Sequence, residues 1–298
     1  MTEYAGYSDT NGLIRILDKK VSPPVKRALQ AIVFDMDGTL ADTEEIHRQA
    51  FNRAFAEFGF EWQWSPEEYH DLLSISGGRE RIRQYLVTKR ERQRSTAALR
   101  QLALTVHKRK SQVYRELLSA GHVVLRPGVK RLLQEARAQS IRLAIATSSS
   151  RRNVETLLTT TMGAESAGLF RAFATCDVVE DQKPSPAIYQ YALAELGIEP
   201  EHAVAIEDTR NGNLAARAAG LKTIITTHRY TRDNDFRGAA LVLDQLGEPD
   251  QQFLVAAGEA HGATFVNLDL LRRILAGDEY PAPMTGNTWQ PCPVMAAK

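Results

Sequence analysis

The sequence predicts an α/β fold: a core built on a parallel sheet, with a small all-helical domain inserted after the first strand. Two observations lead there. Three short apolar runs, Ala31 to Phe34, Ile141 to Ala146 and Ala203 to Ile206, each pass directly into polar or acidic residues, as strands do at the carboxyl edge of a parallel sheet. Between the first run and the second, over residues 43 to 122, apolar positions recur at helical spacing and no strand intervenes.

The first strand delivers Asp35-Met36-Asp37-Gly38-Thr39-Leu40. Side chains two apart on a strand share a face, so Asp35 and Asp37 can flank one phosphoryl group, and Gly38 lets the chain turn sharply after them. Asp and Gly also dominate ordinary turns, so the segment draws its weight from three polar segments further along the chain. Helical spacing then runs from Ile46 through Ala50, Phe51, Ala54, Phe55 and Phe58 to Gly59, and again over Pro66 to Leu73, Arg79 to Val87 and Thr96 to Leu118. The core resumes near Val123, before Pro127-Gly128, and alternates strand with helix through about Asp244.

Ile141 to Ala146 leads into Thr147-Ser148-Ser149-Ser150, whose hydroxyls and N–H groups suit phosphate oxygens at a helix start, or simply cap that helix. Lys183, in Gln182-Lys183-Pro184-Ser185-Pro186, is either a fixed cation on a proline-stiffened loop or a solvated surface charge. Ala203 to Ile206 delivers Glu207-Asp208, an acidic pair suited to a hard cation such as Mg²⁺ or to capping the next helix.

Nucleophile, hydroxyl, lysine and acidic pair, in that order, resemble the four signature motifs of the haloacid dehalogenase superfamily, over most of residues 30 to 245. The resemblance implies a Rossmann-like core whose phosphotransferases pass through an aspartyl-phosphate. It implies Asp35 as nucleophile, Asp37 as general acid/base, Ser148 as the phosphate-binding hydroxyl with Ser149 beside it, and Lys183 as the charge-neutralising cation. Mg²⁺ would be held by Asp35, the Asp37 backbone carbonyl and Asp208, with Glu207 close by or acting through water.

In the inserted domain Glu44 and His47 lie on one helix face at i, i+3 spacing, followed by Tyr69 and Ser76-Gly77-Gly78-Arg79-Glu80-Arg81. Two glycines permit close backbone approach to a ligand, and an arginine fork suits a phosphate that is bound but not cleaved. The plainer alternative is that His47 and Tyr69 pack or cap helices and the arginines are solvated. Together with Asp35 to Glu44, Phe51-Asn52, Glu67-Glu68-Tyr69 and Lys183-Pro184-Ser185-Pro186, these residues look like the CbbY-type branch of the superfamily. That branch comprises phosphatases associated with the Calvin cycle, which remove xylulose-1,5-bisphosphate, a misfire product that inhibits Rubisco. The resemblance implies that Glu44, His47, Tyr69, Gly77, Gly78 and Arg81 line a sugar-bisphosphate site, with Arg81 on the distal phosphate.

Composition sets outer limits. Of 298 residues 43% are hydrophobic and 24% charged, which suits a globular protein with a sizeable core. A formal net charge of +1 argues against nucleic-acid binding through bulk charge, and no apolar run approaches the roughly twenty residues of a membrane span. The start shows no secretory signal, and Cys176 and Cys292 form no ligand cluster, so the expected setting is the cytoplasm. The expected partner is a small sugar phosphate, with no nucleic acid and no membrane, and the expected state is a monomer unless the ends associate. Residues 1 to 29 read as an N-terminal extension before a core of 30 to 42 and 123 to 245, and 246 to 298 as a largely irregular C-terminal extension with one short helix, Leu268 to Leu275. Alternatives are a β-phosphoglucomutase-like mutase, a phosphoglycolate or general sugar-monophosphate phosphatase and, from another class, a non-catalytic regulatory protein. A 2-haloacid dehalogenase has no need of Asp37 or of the acidic pair.

Overall fold

A computed structural model describes residues 28–88, 96–121 and 123–277. Its centre is a seven-stranded sheet in the order β3-β2-β1-β4-β5-β6-β7, formed by β1 (Ala31–Phe34), β2 (Arg142–Ala146), β3 (Ala172–Ala174), β4 (Ala203–Glu207), β5 (Lys222–Thr226), β6 (Leu241–Leu243) and β7 (Val255–Gly258). The first six are parallel, and β7 runs antiparallel to β6. Every residue of β1 is buried, because helices cover both faces. Ile32 and Phe34 join one apolar cluster, and Ala31 and Val33 join another on the opposite face. This is why β1 reads as a continuous apolar run. On one face lie α5 (Val129–Ala138) and α6 (Arg151–Met162), and on the other α7 (Ala187–Leu196) and α8 (Arg210–Ala218).

Register, more than any single motif, assembles the site. Phe34 lies opposite Ile145 on one side and Ile206 on the other. The residues that follow these three, Asp35, Ala146-Thr147 and Glu207-Asp208, therefore emerge together at one sheet edge.

The inserted domain consists of α1 (Glu44–Glu57), α2 (Pro66–Leu72), α3 (Gly78–Thr88) and α4 (Thr96–Ser119). Glu44 and Glu45 complement the helix dipole at the start of α1, two residues earlier than the apolar spacing indicates. Ser65 Oγ caps α2 by accepting from Glu68 N at 3.1 Å, with Pro66 at the first helical position. Phe51, Phe55, Trp64, Tyr69, Ile82, Tyr85 and Leu86 form the cap's own core. At 24 residues α4 is long enough to do two jobs. Leu99, Ala103 and Val106 pack in the cap, whereas Val113, Tyr114 and Leu118 pack in the main core. The two chain crossings between cap and core run side by side, bridged at Ala41 and Leu125, with Arg126 N donating to Leu40 O at 2.9 Å.

The boundary expected at residue 246 falls inside the fold. Leu246, Phe253 and Val266, and Leu268, Leu270, Leu271, Ile274 and Leu275 of α9 (Leu268–Ala276), belong to the main apolar cluster. A fully buried Leu or Ile stabilises by about 1.5–3 kcal/mol, so the described stretch 246–277 is integral to the core. The sequence hides this because all four residues of β7 are exposed and are held by backbone pairing, which leaves no apolar alternation to read. Residues 278–298, and 1–27 of the expected N-terminal extension, lie outside the described residues.

Candidate active site

Asp35 leaves β1 with its N–H bonded to Ile206 O at 2.9 Å and its side chain 9% exposed. Lys183 Nζ donates to Asp35 Oδ1 at 2.6 Å, to Ala146 O at 3.0 Å and to Glu207 Oε1. Burial pushes the Asp35 carboxyl well above its ordinary pKa; Lys183 opposes the shift, and Glu207 and Asp208 add to it. Burial acts against the Lys183 ammonium too, but the charges of Asp35 and Glu207 outweigh it and hold its pKa above the ordinary lysine value.

Glu207, fully buried, is the most heavily bonded of these carboxylates. Its Oε1 also accepts from Tyr189 OH at 2.6 Å, while Oε2 accepts from the N–H groups of Asp208 and Thr209 and from Thr209 Oγ1 at 3.1–3.3 Å. Glu207, expected close to the metal or acting through water, stands beside Asp35 and Asp208. Its oxygens are committed to Lys183, Tyr189 and the start of α8, so it positions the lysine. Asp208 is freer: Oδ1 meets Thr39 Oγ1 only at 3.4 Å, and Oδ2 accepts from His228 Nε2 at 2.9 Å. Burial pushes Asp208 up to about 6, against the pull of His228. Asp35, Glu207 and Asp208 bring one oxygen each within 4.8 Å of one another. Three buried carboxylates against the single ammonium of Lys183 leave a surplus of negative charge on an all-oxygen donor set, which fits a hard divalent cation such as Mg²⁺.

Gly38 has φ +85°, and a Cβ there would lie 2.3 Å from Asp208 Oδ2 and 2.6 Å from His228 Nε2. Only glycine lets the turn pass this close to the acidic cluster.

Asp37 faces the cap. Its Oδ1 accepts from Thr43 Oγ1 at 2.6 Å and Tyr114 OH at 2.8 Å, and lies 3.0 Å from His47 Nε2. Burial would raise this carboxyl, but His47 and the two hydroxyls outweigh burial and hold it well below the usual carboxylate range. Lys110 Nζ abuts His47 Nδ1, so an ammonium there leaves Nε2 to carry the proton toward Asp37. Lys110 is 4% exposed and sits 4.5 Å from the Phe51 ring centroid, and burial pulls its pKa down to about 7.

The second strand ends in a loop that divides its hydroxyls. Ser150 Oγ caps α6 through Asn153 N at 3.3 Å, and Ser149 Oγ accepts from Asn153 Nδ2 at 3.2 Å. Ser148 Oγ makes no hydrogen bond among the described residues and lines the cavity beside Asp35. That cavity, about 490 Å³, is walled by both core and cap and falls within the ~300–1,000 Å³ of small-molecule sites. Asp35, Asp37, Glu44, His47, Tyr69, Gly77, Gly78, Arg81, Ser148, Ser149, Lys183 and Asp208 all line it. Tyr69 OH donates to Glu44 Oε2 at 2.6 Å.

Arg81 does not present the free fork expected of it. Its Nε donates to Leu72 O at 2.9 Å, one terminal nitrogen to Ile75 O at 3.1 Å and the other to Tyr69 OH at 3.2 Å, and its guanidinium lies over the Phe51 and Tyr69 rings. It braces the α2–α3 loop, while Gly77 and Gly78, at the start of α3, line the cavity. Arg81→Ala is expected to cost about 1.5–3 kcal/mol of stability and to lower kcat/KM on mono- and bisphosphates alike. Thermal unfolding and paired kinetics check this; a loss confined to bisphosphates would restore the distal-phosphate role.

Sequence reasoning missed Lys110, Tyr114, Tyr189, His228 and Tyr230. Lys110 carried a readable signal, since it lies on the same α4 stripe as buried Val106, Val113 and Tyr114, where a charge has no place in a purely structural helix.

A family model for haloacid dehalogenase-like hydrolases matches residues 32–226. The chain belongs to that family. Within it the chain is CbbY-type: it is 44% identical over 220 residues to the protein CbbY of Cereibacter sphaeroides, covering 74% of this chain and 94% of that one. The crystal structure of Rhodobacter sphaeroides CbbY with phosphate superposes with a TM-score of 0.66 at 42% identity, over 73% of this chain and 94% of that chain. A mutant of the same protein was solved with xylulose-1,5-bisphosphate. A phosphorylated carbohydrates phosphatase of Thermotoga maritima is 32% identical over 196 residues, 66% of this chain and 84% of that one. Among the described residues no helix is long and apolar enough to cross a membrane.

Proposed function

We propose that this protein is a Mg²⁺-dependent sugar-bisphosphate phosphatase that hydrolyses xylulose-1,5-bisphosphate through an aspartyl-phosphate on Asp35. The carrying observation is the convergence of Asp35, Asp37, Ser148, Lys183 and Asp208 on one cavity roofed by the cap's Glu44, His47 and Tyr69. The CbbY complex with xylulose-1,5-bisphosphate supports the choice of sugar.

In the first displacement an Asp35 oxygen attacks phosphorus, the bond from phosphorus to the sugar oxygen breaks, and Asp37 gives that oxygen its proton. An incoming phosphate dianion raises the Asp37 pKa, which equips for acid work a carboxyl otherwise held ionised. In the second, water attacks phosphorus, Asp37 takes the proton, and the Asp35–phosphorus bond breaks to release inorganic phosphate. Lys183 fixes Asp35 and faces the equatorial oxygens, and Ser148 Oγ donates to them. Asp35, Asp208 and the Asp37 backbone carbonyl would hold Mg²⁺, which when bound supplies further charge neutralisation. The cap excludes bulk water during the first step. Glu44, Tyr69 and His47 bind the sugar, and the amides next to Gly77 and Gly78 take the distal phosphate. The protein acts in the cytoplasm, as a monomer, and in a cell running the Calvin cycle it clears an inhibitor of Rubisco.

The test is a Mg²⁺-dependent phosphate-release screen over ketose and aldose mono- and bisphosphates. Xylulose-1,5-bisphosphate is expected to give the highest kcat/KM, whereas phosphoryl return to a second hydroxyl without phosphate release would establish a mutase. Two substitutions divide the roles. Asp208→Ala removes an oxygen ligand and is expected to raise the Mg²⁺ requirement strongly. Asp37→Asn keeps the backbone carbonyl and leaves Mg²⁺ affinity nearly unchanged, while turnover falls by about 10²-fold or more. Calorimetric Mg²⁺ titration checks both, and an equal loss of affinity in the two contradicts the division.

A further inference from the structure

We propose that Tyr230 and His228, neighbours on the loop after β5, act as a latch that ties the seating of the cap to the orientation of Asp208. The inference rests on the reading of Asp208 as a metal ligand. Tyr230 is carried by the core but belongs to the cap's apolar cluster and is 4% exposed. Its ring stands edge-on to Tyr69, with centroids 5.7 Å apart and planes at 88°. Its hydroxyl donates to Glu45 Oε2 at 2.9 Å, and Glu45 is itself clamped by Arg48 Nε at 2.9 Å. One core residue thus grips both cap segments, α1 and α2, that supply Glu44 and Tyr69 to the cavity. On the same rim Asn211 Nδ2, from α8, donates to Ser76 Oγ at 3.0 Å and Ser74 O at 3.2 Å in the α2–α3 loop.

The other end of the latch reaches the acidic cluster. Tyr230 N donates to His228 Nδ1 at 3.3 Å, which leaves Nε2 as the ring nitrogen that meets Asp208 Oδ2 at 2.9 Å. The His228 side chain is 5% exposed and lies against Gly38, where no Cβ fits, so the ring has one place to sit. That bond sets the plane of the Asp208 carboxylate and leaves Oδ1 with only the long contact to Thr39. A departing cap takes away the apolar seat of the Tyr230 ring, which frees the loop after β5 to shift the backbone donor that holds the imidazole in this orientation. His228 and Tyr230 are positioning residues: neither is placed on substrate or metal.

The experiment uses the full chain with Mg²⁺ alone, titrated calorimetrically, and hydrogen exchange across residues 65–77. His228→Ala is expected to weaken Mg²⁺ binding by about tenfold, and His228→Gln, which keeps an N–H at the ε position, to recover most of it. Tyr230→Ala is expected to weaken Mg²⁺ binding by about fivefold or more, although Tyr230 is no ligand, and to speed exchange over 65–77. All of these variants keep the N–H of residue 230; Tyr230→Phe also retains the ring that seats this loop in the cap's apolar cluster, so it should keep Mg²⁺ affinity while exchange rises modestly. Unchanged Mg²⁺ affinity in Tyr230→Ala, or no recovery in His228→Gln, would overturn the latch. A wild-type chain that binds no Mg²⁺ would instead sink the metal reading, and unchanged exchange in Tyr230→Ala would then sink the latch independently.

Discussion

Replacing Asp35 with Asn is expected to lower turnover by roughly a thousandfold or more while leaving the fold intact, because an amide cannot form the acyl-phosphate. The amide oxygen can still accept from Lys183 Nζ, which lies 2.6 Å from the carboxylate in the wild type. The variant should also be at least as stable as the wild type without metal. A carboxyl whose pKa is raised on folding binds more protons in the folded state, so its presence lowers stability as pH climbs past the unfolded value near 3.9. A neutral amide carries no such burden, so the melting-temperature advantage should appear above that pH and vanish in acid. Single-turnover labelling of the protein by substrate phosphate, detected by mass, should be lost. Retained labelling or near-normal kcat would exclude Asp35 as nucleophile.

Lys183→Met is expected to affect folding and chemistry together. The ammonium joins Asp35 and Glu207, two of three carboxylates within one small buried volume. Removing one partner of a buried charge network costs about 3–5 kcal/mol, because the charges left behind remain desolvated. Without the ammonium that opposes it, the Asp35 carboxyl is pushed further up, so the variant should regain stability as pH falls and Asp35 and Asp208 take up protons. Saturating Mg²⁺ should restore part of the stability by mass action. Turnover should fall by at least ~10²-fold, the scale of losing one preorganised electrostatic contact in such a site. Melting curves at several pH values, with and without Mg²⁺, decide the matter. A variant as stable as wild type at pH 8 in the absence of metal would show that Lys183 is not needed to balance the cluster.

Most of the candidate site was legible along the chain because the residues that converge on it follow or end apolar strands. Asp35 follows Phe34, Thr147 follows Ala146 and Glu207 ends β4, so strand register alone carries them to one edge. Lys183 was legible only through its place in the order of motifs, since nothing local distinguishes it from a surface lysine. The cap was legible as helices, but the bonds Arg81 makes were not: a fork that reads as free for a phosphate is spent on two carbonyls and a hydroxyl of its own neighbourhood. Glu207 follows the same logic, its oxygens being consumed by Tyr189 and by the helix that begins just beyond it. In the stretch from Leu246 to Ala276 the helix was legible but its place in the core was not, because β7 is exposed and because α9 completes a core whose other members are mostly far away along the chain.

By itself the sequence determined the fold class, the family, the strand that carries Asp35 and the acidic pair, because these follow from short-range order: apolar runs, turn chemistry and the residues next to them. The tertiary structure alone decided which polar groups are already satisfied and which face the cavity free. Lys110 meets His47 across 63 positions, and Tyr230 meets Glu45 across 185. Helix periodicity predicts that a face is buried but not what lies opposite it, and the charge and hydrogen-bonding state of a buried group depend on that opposite face.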